Sequence, residues 1–360
     1  MKNPILFLAV VILWLCLVFM AQAGCKNSKQ TFSMSKKYDV SDDYSADWEA
    51  VMAAENENKT QDAKKIVRQI YDKAKQSDNY TQVLKALLHL YKYDSFTEEN
   101  SQQKTIDELK KEINEAKPPL KAILQSVLAE MYWNYYNYNS YNVLQRTQLA
   151  DTVQQNDFKT WDATKFTKEI TTLHQAALSD KSTQKIALNN LSAVLRKTYT
   201  TNDISPYTPT VYDFLAQRAI DYFANSRANV TKAADQFKID NADAFAGSTD
   251  FVKAKFTNSN PLSLPFYALK TYQEVSSFHL NTTKNKLVLI NWELKRLAFA
   301  KDNAVLTNKD DLYIKALEKL QSDNSNAPES AYVAYQVANY YNNKGHQYRA
   351  NDKSTEKYQM

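Results

Sequence analysis

Apolar residues recur at three- and four-residue intervals from about residue 47 onward, the spacing that lines one face of an α-helix. Ala63, Ile66, Val67, Ile70 and Ala74 form one stripe. Leu84, Leu87, Leu88 and Tyr91 form the next, after the polar break Ser77-Asp78-Asn79. Ile106, Leu109, Ile113 and Ala116 follow and stop at Pro118-Pro119, because proline has no N–H to donate and its ring clashes with the preceding turn. Ile123, Val127, Leu128 and Met131 then open a long helix dense in aromatic side chains.

The pattern persists downstream. Tyr212, Leu215, Ala219 and Tyr222 share a face, and Thr208-Pro209 predicts the start of that helix, with a hydroxyl cap and a first-turn proline. Leu287, Ile290, Leu294 and Leu297 make another stripe, and Leu312, Ala316, Leu317 and Leu320 another. Pro328 opens a last helix holding Ala334, Val337, Ala338 and Tyr341. No comparable segment alternates with period two. The fold class read from this is all-α: stacked antiparallel helix pairs in a TPR-like α-α superhelix, with one irregular insertion.

A partial tetratricopeptide pattern lies in the last pair. With Val337 at repeat position seven, Ala338, Tyr341, Gly345 and Ala350 fall on the small and aromatic positions where paired helices interlock. A unit of about 34 residues on that register runs slightly past Met360, which suggests a chain that stops where a longer protein continues. A short frayed terminal helix fits the periodicity equally well. The expected organisation is a signal peptide over residues 1–24, a flexible tether over 25–45 and helical repeats over 46–225. An irregular insertion over 226–263 and further helical repeats over 264–360 complete it. The insertion is polar, with Phe237-Lys238-Ile239 its one hint of extended chain and Phe237, Phe245, Phe251 and Phe256 as apolar anchors.

Composition narrows the function classes. Of 360 residues only 3 are glycine, whereas phosphate-cradling loops and tight hairpins need the positive φ or close approach that glycine supplies. P-loop, Rossmann and hairpin-rich β folds are disfavoured on that ground. The formal charge is +5, and the basic residues are scattered lysines with few arginines, without a basic stripe interleaved with aromatics. Bidentate phosphate and base recognition favours arginine, so no nucleic-acid partner is expected.

The N-terminus follows the plan of a secretory signal: Lys2, an apolar run over residues 5–20, then Ala21-Gln22-Ala23-Gly24 before Cys25. Ala23-Gly24-Cys25 resembles the end of a bacterial lipobox, although Gln22 stands where a Leu-like residue is usual. Cleavage before Cys25 with lipid on its sulfur is one outcome. Cleavage after Ala23 to release a soluble protein is a second, and retention as an uncleaved anchor is a third. The cysteine count favours the first: Cys16 and Cys25 are the only two, so the mature chain has one cysteine, at the junction. Cys25 is the expected lipid-attachment residue, and the membrane its expected partner.

Catalytic motifs do not emerge. His89, His174, His279 and His346 lack metal-type neighbours at helical spacing, and His-Glu-x-x-His, Cys-x-x-Cys and G-x-S-x-G patterns do not occur. No catalytic, cofactor-binding or metal-ligating residue is nominated, and no cofactor is expected. The most distinctive segment is the aromatic run from Met131 to Tyr141. Its first reading is core and inter-helix packing with polar tips at the wet margin. Its second is a stacking platform for sugar rings or extended peptide, formed by Tyr132, Trp133, Tyr135 and Tyr136.

Several segments resemble, in order, the N-terminal helical region of large bacterial alpha-2-macroglobulin family lipoproteins. They are Ser126-Val127-Leu128-Ala129-Glu130-Met131-Tyr132-Trp133-Asn134-Tyr135-Tyr136, Arg146-Thr147, Thr160-Trp161-Asp162, and the stretch from Pro209 through Tyr212-Asp213-Phe214-Leu215 to Arg218-Ala219. Tyr272-Gln273, Phe278-His279, Leu294-Lys295-Arg296-Leu297-Ala298-Phe299 and Leu312-Tyr313-Ile314-Lys315-Ala316-Leu317 complete the series. The resemblance runs from about Tyr38 onward and implies a cell-envelope protein that guards against proteases. In that family a bait segment is cut and a Cys–Gln thioester captures the protease. This chain has no cysteine after Cys25, no C-x-E-Q segment and no β-sandwich pattern, so that chemistry maps onto no residue here.

The resemblance therefore implies a non-catalytic, membrane-tethered helical scaffold that contacts a protein or peptide partner: either the product of a split or truncated gene, with macroglobulin domains encoded separately, or a stand-alone relative. The expected place is the outer membrane, facing the periplasm, with secretion or inner-membrane anchoring as alternatives. A glycan-binding helical-repeat lipoprotein of a nutrient-uptake system is the alternative function.

Overall fold

The computed structural model describes residues 42–97, 101–146, 157–195, 206–228, 230, 236–282 and 285–353. Among them are thirteen α-helices and no β-strand; Ala187–Thr210 and Ile239–Ala304 are isolated bridges. The signal segment and Cys25 lie outside the described residues. Two compact units divide between Arg218 and Ala219.

The first unit begins with α1 (Ser45–Asn56), α2 (Thr60–Gln76), α3 (Tyr80–Thr97), α4 (Ser101–Glu115) and α5 (Leu120–Tyr138). Each packs against the next in sequence. The short α6 (Ser140–Leu144) follows, and α5 packs most extensively on α7 (Ala163–Ser179). Of the expected stripe of α2, Ala63, Val67, Ile70 and Ala74 are at most 1% exposed and Ile66 is half-buried. Helical order begins earlier than the tether boundary at residue 45. Residues 42–44 form a 3₁₀ turn, and Tyr44 is buried, its ring under Lys73 Nζ at 4.6 Å and its hydroxyl 3.0 Å from Ser77 Oγ. A large ring with a partner for its hydroxyl gains from burial, which fixes the chain here.

Glycine scarcity shows in the connections. After α1 the amides of Asn58 and Lys59 donate to the carbonyls of Glu55 and Ala54 at 3.0 and 2.8 Å. After α2 those of Asp78 and Asn79 donate to Lys75 and Ala74 at 3.3 and 2.9 Å. Both are Schellman closures, which need a left-handed residue just past the helix. Asn58 (φ 56°) and Asp78 (φ 51°) fill that position in place of glycine; short polar side chains tolerate it best after glycine.

The helix shared by the two units, α8 (Val211–Phe223), starts two residues later than Thr208-Pro209 suggested. Its cap is Thr210, whose Oγ1 accepts from Asp213 N–H at 3.1 Å, while Asp213 Oδ2 accepts from Thr210 N–H at 3.1 Å and from its hydroxyl at 2.7 Å. This reciprocal box satisfies orphan helix donors. Pro209 instead gives its carbonyl to Leu188 N–H at 2.9 Å, part of the bridge that the alternation pattern was too short to reveal.

In the second unit, α9 (Ser248–Phe251), α10 (Leu264–Thr282), α11 (Lys286–Asn303), α12 (Lys309–Asp323) and α13 (Ser330–Gly345) again pack in sequence order. The described part of the insertion is not structureless. It contains 3₁₀ turns at Ser226–Ala228 and Ala242–Phe245, besides α9, and it buries Ile239, Phe245, Phe251 and Phe256. Phe237 is half-buried, its ring centroid 5.3 Å from that of Phe266.

A polar lock holds this segment. Arg296 is fully buried on α11. Its guanidinium donates to the carbonyls of Ala244 and Ala246 and to Glu293 Oε2, and lies 4.3 Å from the Phe251 ring centroid. Ser248 donates to Glu293 Oε1, and Gln273 Nε2 donates to the carbonyls of Phe251 and Ala254 at 2.8 and 2.9 Å. Irregular backbone cannot satisfy its own carbonyls, so side chains from α10 and α11 do it.

The tetratricopeptide register does not translate into interlocked positions on α13. Val333 is its buried residue, while Ala338 and Tyr341 are exposed. The α12–α13 seam is made by Tyr313 and Tyr340, 6.0 Å apart with Lys301 beside both, and by the Lys344–Asp310 ion pair.

Two substitutions check these devices. Asp78→Gly relieves left-handed strain, and its Lys117 contact is too exposed to matter, so chemical denaturation is expected to show about 0.5–1 kcal/mol of added stability. Arg296→Met leaves Glu293 buried without its cation and is expected to cost about 3–5 kcal/mol, with part of the loss recovered in Arg296→Met/Glu293→Gln.

Candidate functional site

The aromatic run on α5 faces inward. Tyr132, Trp133 and Tyr136 are buried and Tyr135 is half-buried. The Tyr132 ring lies 4.9 Å from Trp161, 5.7 Å from Phe158 and 6.2 Å from Phe166. Tyr135 meets Phe158 edge-on at 4.8 Å, and Tyr136 stacks on Trp133 at 5.5 Å. Helical spacing places these side chains on the face that α7 covers, and the 3₁₀ turn Phe158–Thr160 brings two more rings.

Burial favours the packing reading: Tyr132, Tyr135 and Tyr136 meet Phe158, Trp161 and Phe166 and join α5 to α7, while Trp133 stacks on Tyr136. Burial pushes the Tyr132 and Tyr136 phenols above their ordinary range. The tyrosines left outside are those at the end of the run, Tyr138 and Tyr141. Sequence reasoning took in both within the run without separating them from the inner rings. Tyr138 is the last residue of α5 and Tyr141 lies on α6, beyond the break at Asn139.

Two flanking motifs lock the same cluster. Asp162 caps α7 by accepting from Lys165 N–H at 2.8 Å, and Arg146 Nη1 donates to the carbonyl of Trp161. Arg218 Nε donates to Ser126 Oγ at 2.8 Å and its Nη2 to the Ser126 carbonyl at 3.2 Å, with Glu130 3.4 Å away.

Titratable clusters elsewhere have the same character. Tyr71 donates to Glu112 Oε2 at 2.6 Å, with Lys75 3.0 Å from Glu112 Oε1, joining α2 to α4. Glu55 on α1 accepts from Tyr93 at 2.6 Å and Lys92 at 2.9 Å, with His89 Nδ1 at 3.8 Å. Burial alone raises the Glu55 pKa, but these donors outweigh it and hold the carboxyl below its ordinary value. Burial holds His89 down at about 4, aided by Lys92 and Lys85 against the pull of Glu55. Burial, with the Arg218 charge, holds His174 at about 3.

Among the described residues, no group of three or more His, Cys, Asp or Glu is placed to hold a metal ion. No helix among them is long and apolar enough to cross a membrane. Comparison with protein-family models, curated proteins and solved structures returns no match.

The histidines predict an acid response. Their folded pKa values lie below the ordinary value of about 6.5, so the unfolded chain binds protons first as pH falls. Their stabilisation is complete above about pH 6.5 and declines toward the folded values, by about 2 kcal/mol per imidazole at pH 5, somewhat less for the partly exposed His89. Denaturant melts at pH 7 and pH 5 measure this slope, and His174→Leu is expected to flatten it.

Proposed function

We propose that the chain is a non-catalytic, membrane-tethered helical scaffold of an alpha-2-macroglobulin-like cell-envelope protein, contacting protein or peptide partners along its stacked helices. The observation that carries this reading is how the residues of the resemblance are used. Arg146, Asp162, Asp213, Arg218, Gln273 and Arg296 each hold a helix start, a helix pair or an irregular segment through hydrogen bonds to backbone or side chain. Their charges and amides are engaged in framework contacts, as a motif set describing a frame requires.

In this reading Cys25 carries lipid that holds the protein at the outer membrane, facing the periplasm. Several acyl chains, at about 0.8 kcal/mol per buried CH₂, make such an anchor stable. In this reading the scaffold supports macroglobulin domains, and the bait and thioester chemistry belongs to those domains.

Cys25→Ser is expected to move the protein from the membrane pellet to the soluble fraction; unchanged partition removes the anchor. Cross-linking in intact cells is expected to join the chain to a polypeptide carrying macroglobulin β-domains. A pure sample that turns over a substrate alone overturns the scaffold reading.

A further inference from the structure

Helix α1 is lightly anchored by apolar burial. Of its twelve residues only Trp48 and Val51 are buried, against five residues on α2 and ten on α5. It packs on α2, and side chains tie it to α3. Trp48 Nε1 donates to Gln82 Oε1 at 2.8 Å, and Glu55 accepts from Lys92 and Tyr93. His89 stands between these two ties, its ring 4.8 Å from that of Trp48 and its Nδ1 3.8 Å from Glu55 Oε1. That separation is beyond a hydrogen bond, and Nδ1 is buried without a hydrogen-bond partner.

The setting suits a neutral ring and opposes a charged one. Lys85, His89 and Lys92 follow at steps of four and three residues, so they share one face of α3. Lys85 Nζ already lies 3.9 Å from the Trp48 ring centroid, so a cation occupies that indole. Glu55 Oε1, the oxygen nearest His89, already accepts from Lys92 and Tyr93. An imidazolium would be the third cation of the row, with one carboxylate to serve all three. The other helices packed on α3 direct their charges elsewhere. Lys64 of α2 pairs with Asp94, while Arg68 of α2 and Glu108 and Glu112 of α4 act on Tyr91. Glu130 of α5 faces Arg218.

Burial, with Lys92 and Lys85 against the pull of Glu55, holds the His89 imidazole at about 4. Burial raises the Glu55 carboxyl, yet Tyr93 and Lys92 bring it below its ordinary value. Glu55 therefore stays ionised from pH 7 to pH 5, and His89 is the member of this seam that changes charge.

We propose that protonation of His89 releases α1 from α3, so that the helix is docked in neutral solution and leaves its seat in acid. The ring binds a proton more readily once water replaces the indole, so lowering the pH below about 6.5 favours the undocked form. A twelve-residue helix is marginal alone in water, so α1 unwinds when undocked and uncovers the row Lys85, His89 and Lys92. The inference does not rest on the scaffold reading.

Hydrogen–deuterium exchange of the full chain, corrected for the intrinsic pH dependence of amide exchange, reads the release on residues 49–56 of α1. Their protection is expected to fall about tenfold from pH 7 to pH 5. In His89→Leu and His89→Gln, which do not titrate, the change is expected to stay below about twofold. In His174→Leu the tenfold fall remains, since that ring lies on α7. His89 is partly exposed, and a cooperative thermal melt at pH 7 shows which of its two variants is folded. Equal wild-type protection at both pH values overturns the proposal, as does a fall that survives in a folded His89 variant. So does a fall abolished by His174→Leu, which would mean that α1 opens only with the whole unit.

Discussion

Most of the long helices among the described residues have an apolar stripe that must leave water, and a helix close by in sequence covers it. Fully burying one Leu, Ile or Phe is worth about 1.5–3 kcal/mol, so a stripe such as Ala63, Val67, Ile70 and Ala74 anchors its helix to both neighbours. Helix propensity alone would not hold helices of this length in water. The remaining features follow from that pairing. Turns must be short enough to return the chain antiparallel, and polar groups caught in the seams must find partners there.

Those polar groups are the fold's second layer. Tyr71 with Glu112, Arg218 with Ser126, and Arg296 with the Ala246 carbonyl bridge elements that hydrophobic contact alone would leave free to slide. A buried ion pair is seldom worth much against an apolar replacement of the same shape. In the second unit Arg296 has a further use, since the carbonyls of Ala244 and Ala246 have no helix to serve them. The irregular segment over residues 236–263 is ordered because α10 and α11 supply its missing donors.

Much of the architecture was legible in the sequence, because a period near 3.6 is a property of single stripes. The α8 stripe is buried throughout and those of α2 and α4 are buried but for the half-buried Ile66 and Ala116, and Pro118-Pro119 does separate α4 from α5. What stayed hidden depends on distant partners. Thr210 rather than Thr208 caps α8, because Pro209 is drawn to Leu188. Tyr44 joins the fold ahead of α1 because Lys73 and Ser77 await it more than two turns of α2 away from where the chain enters. The inner aromatic residues of α5 and the outer ones at its end read alike in composition. Only α7 and the turn at residues 158–160 show which are covered. Ala338 and Tyr341 matched a repeat pattern that describes helix pairs meeting other pairs, yet both are exposed.

The nearest-neighbour arrangement also bears on how the chain reaches its native state. Contacts close in sequence form with little loop-closure entropy, and topologies rich in them fold quickly. Helical hairpins here can assemble one after another as the polypeptide becomes available. Two ties in the first unit depart from that local order, Thr81 to the Asn190 carbonyl and Arg218 to Ser126, spanning 109 and 92 residues. Such closures need their surroundings already built, so they act as the late fasteners of a frame whose parts have formed in order.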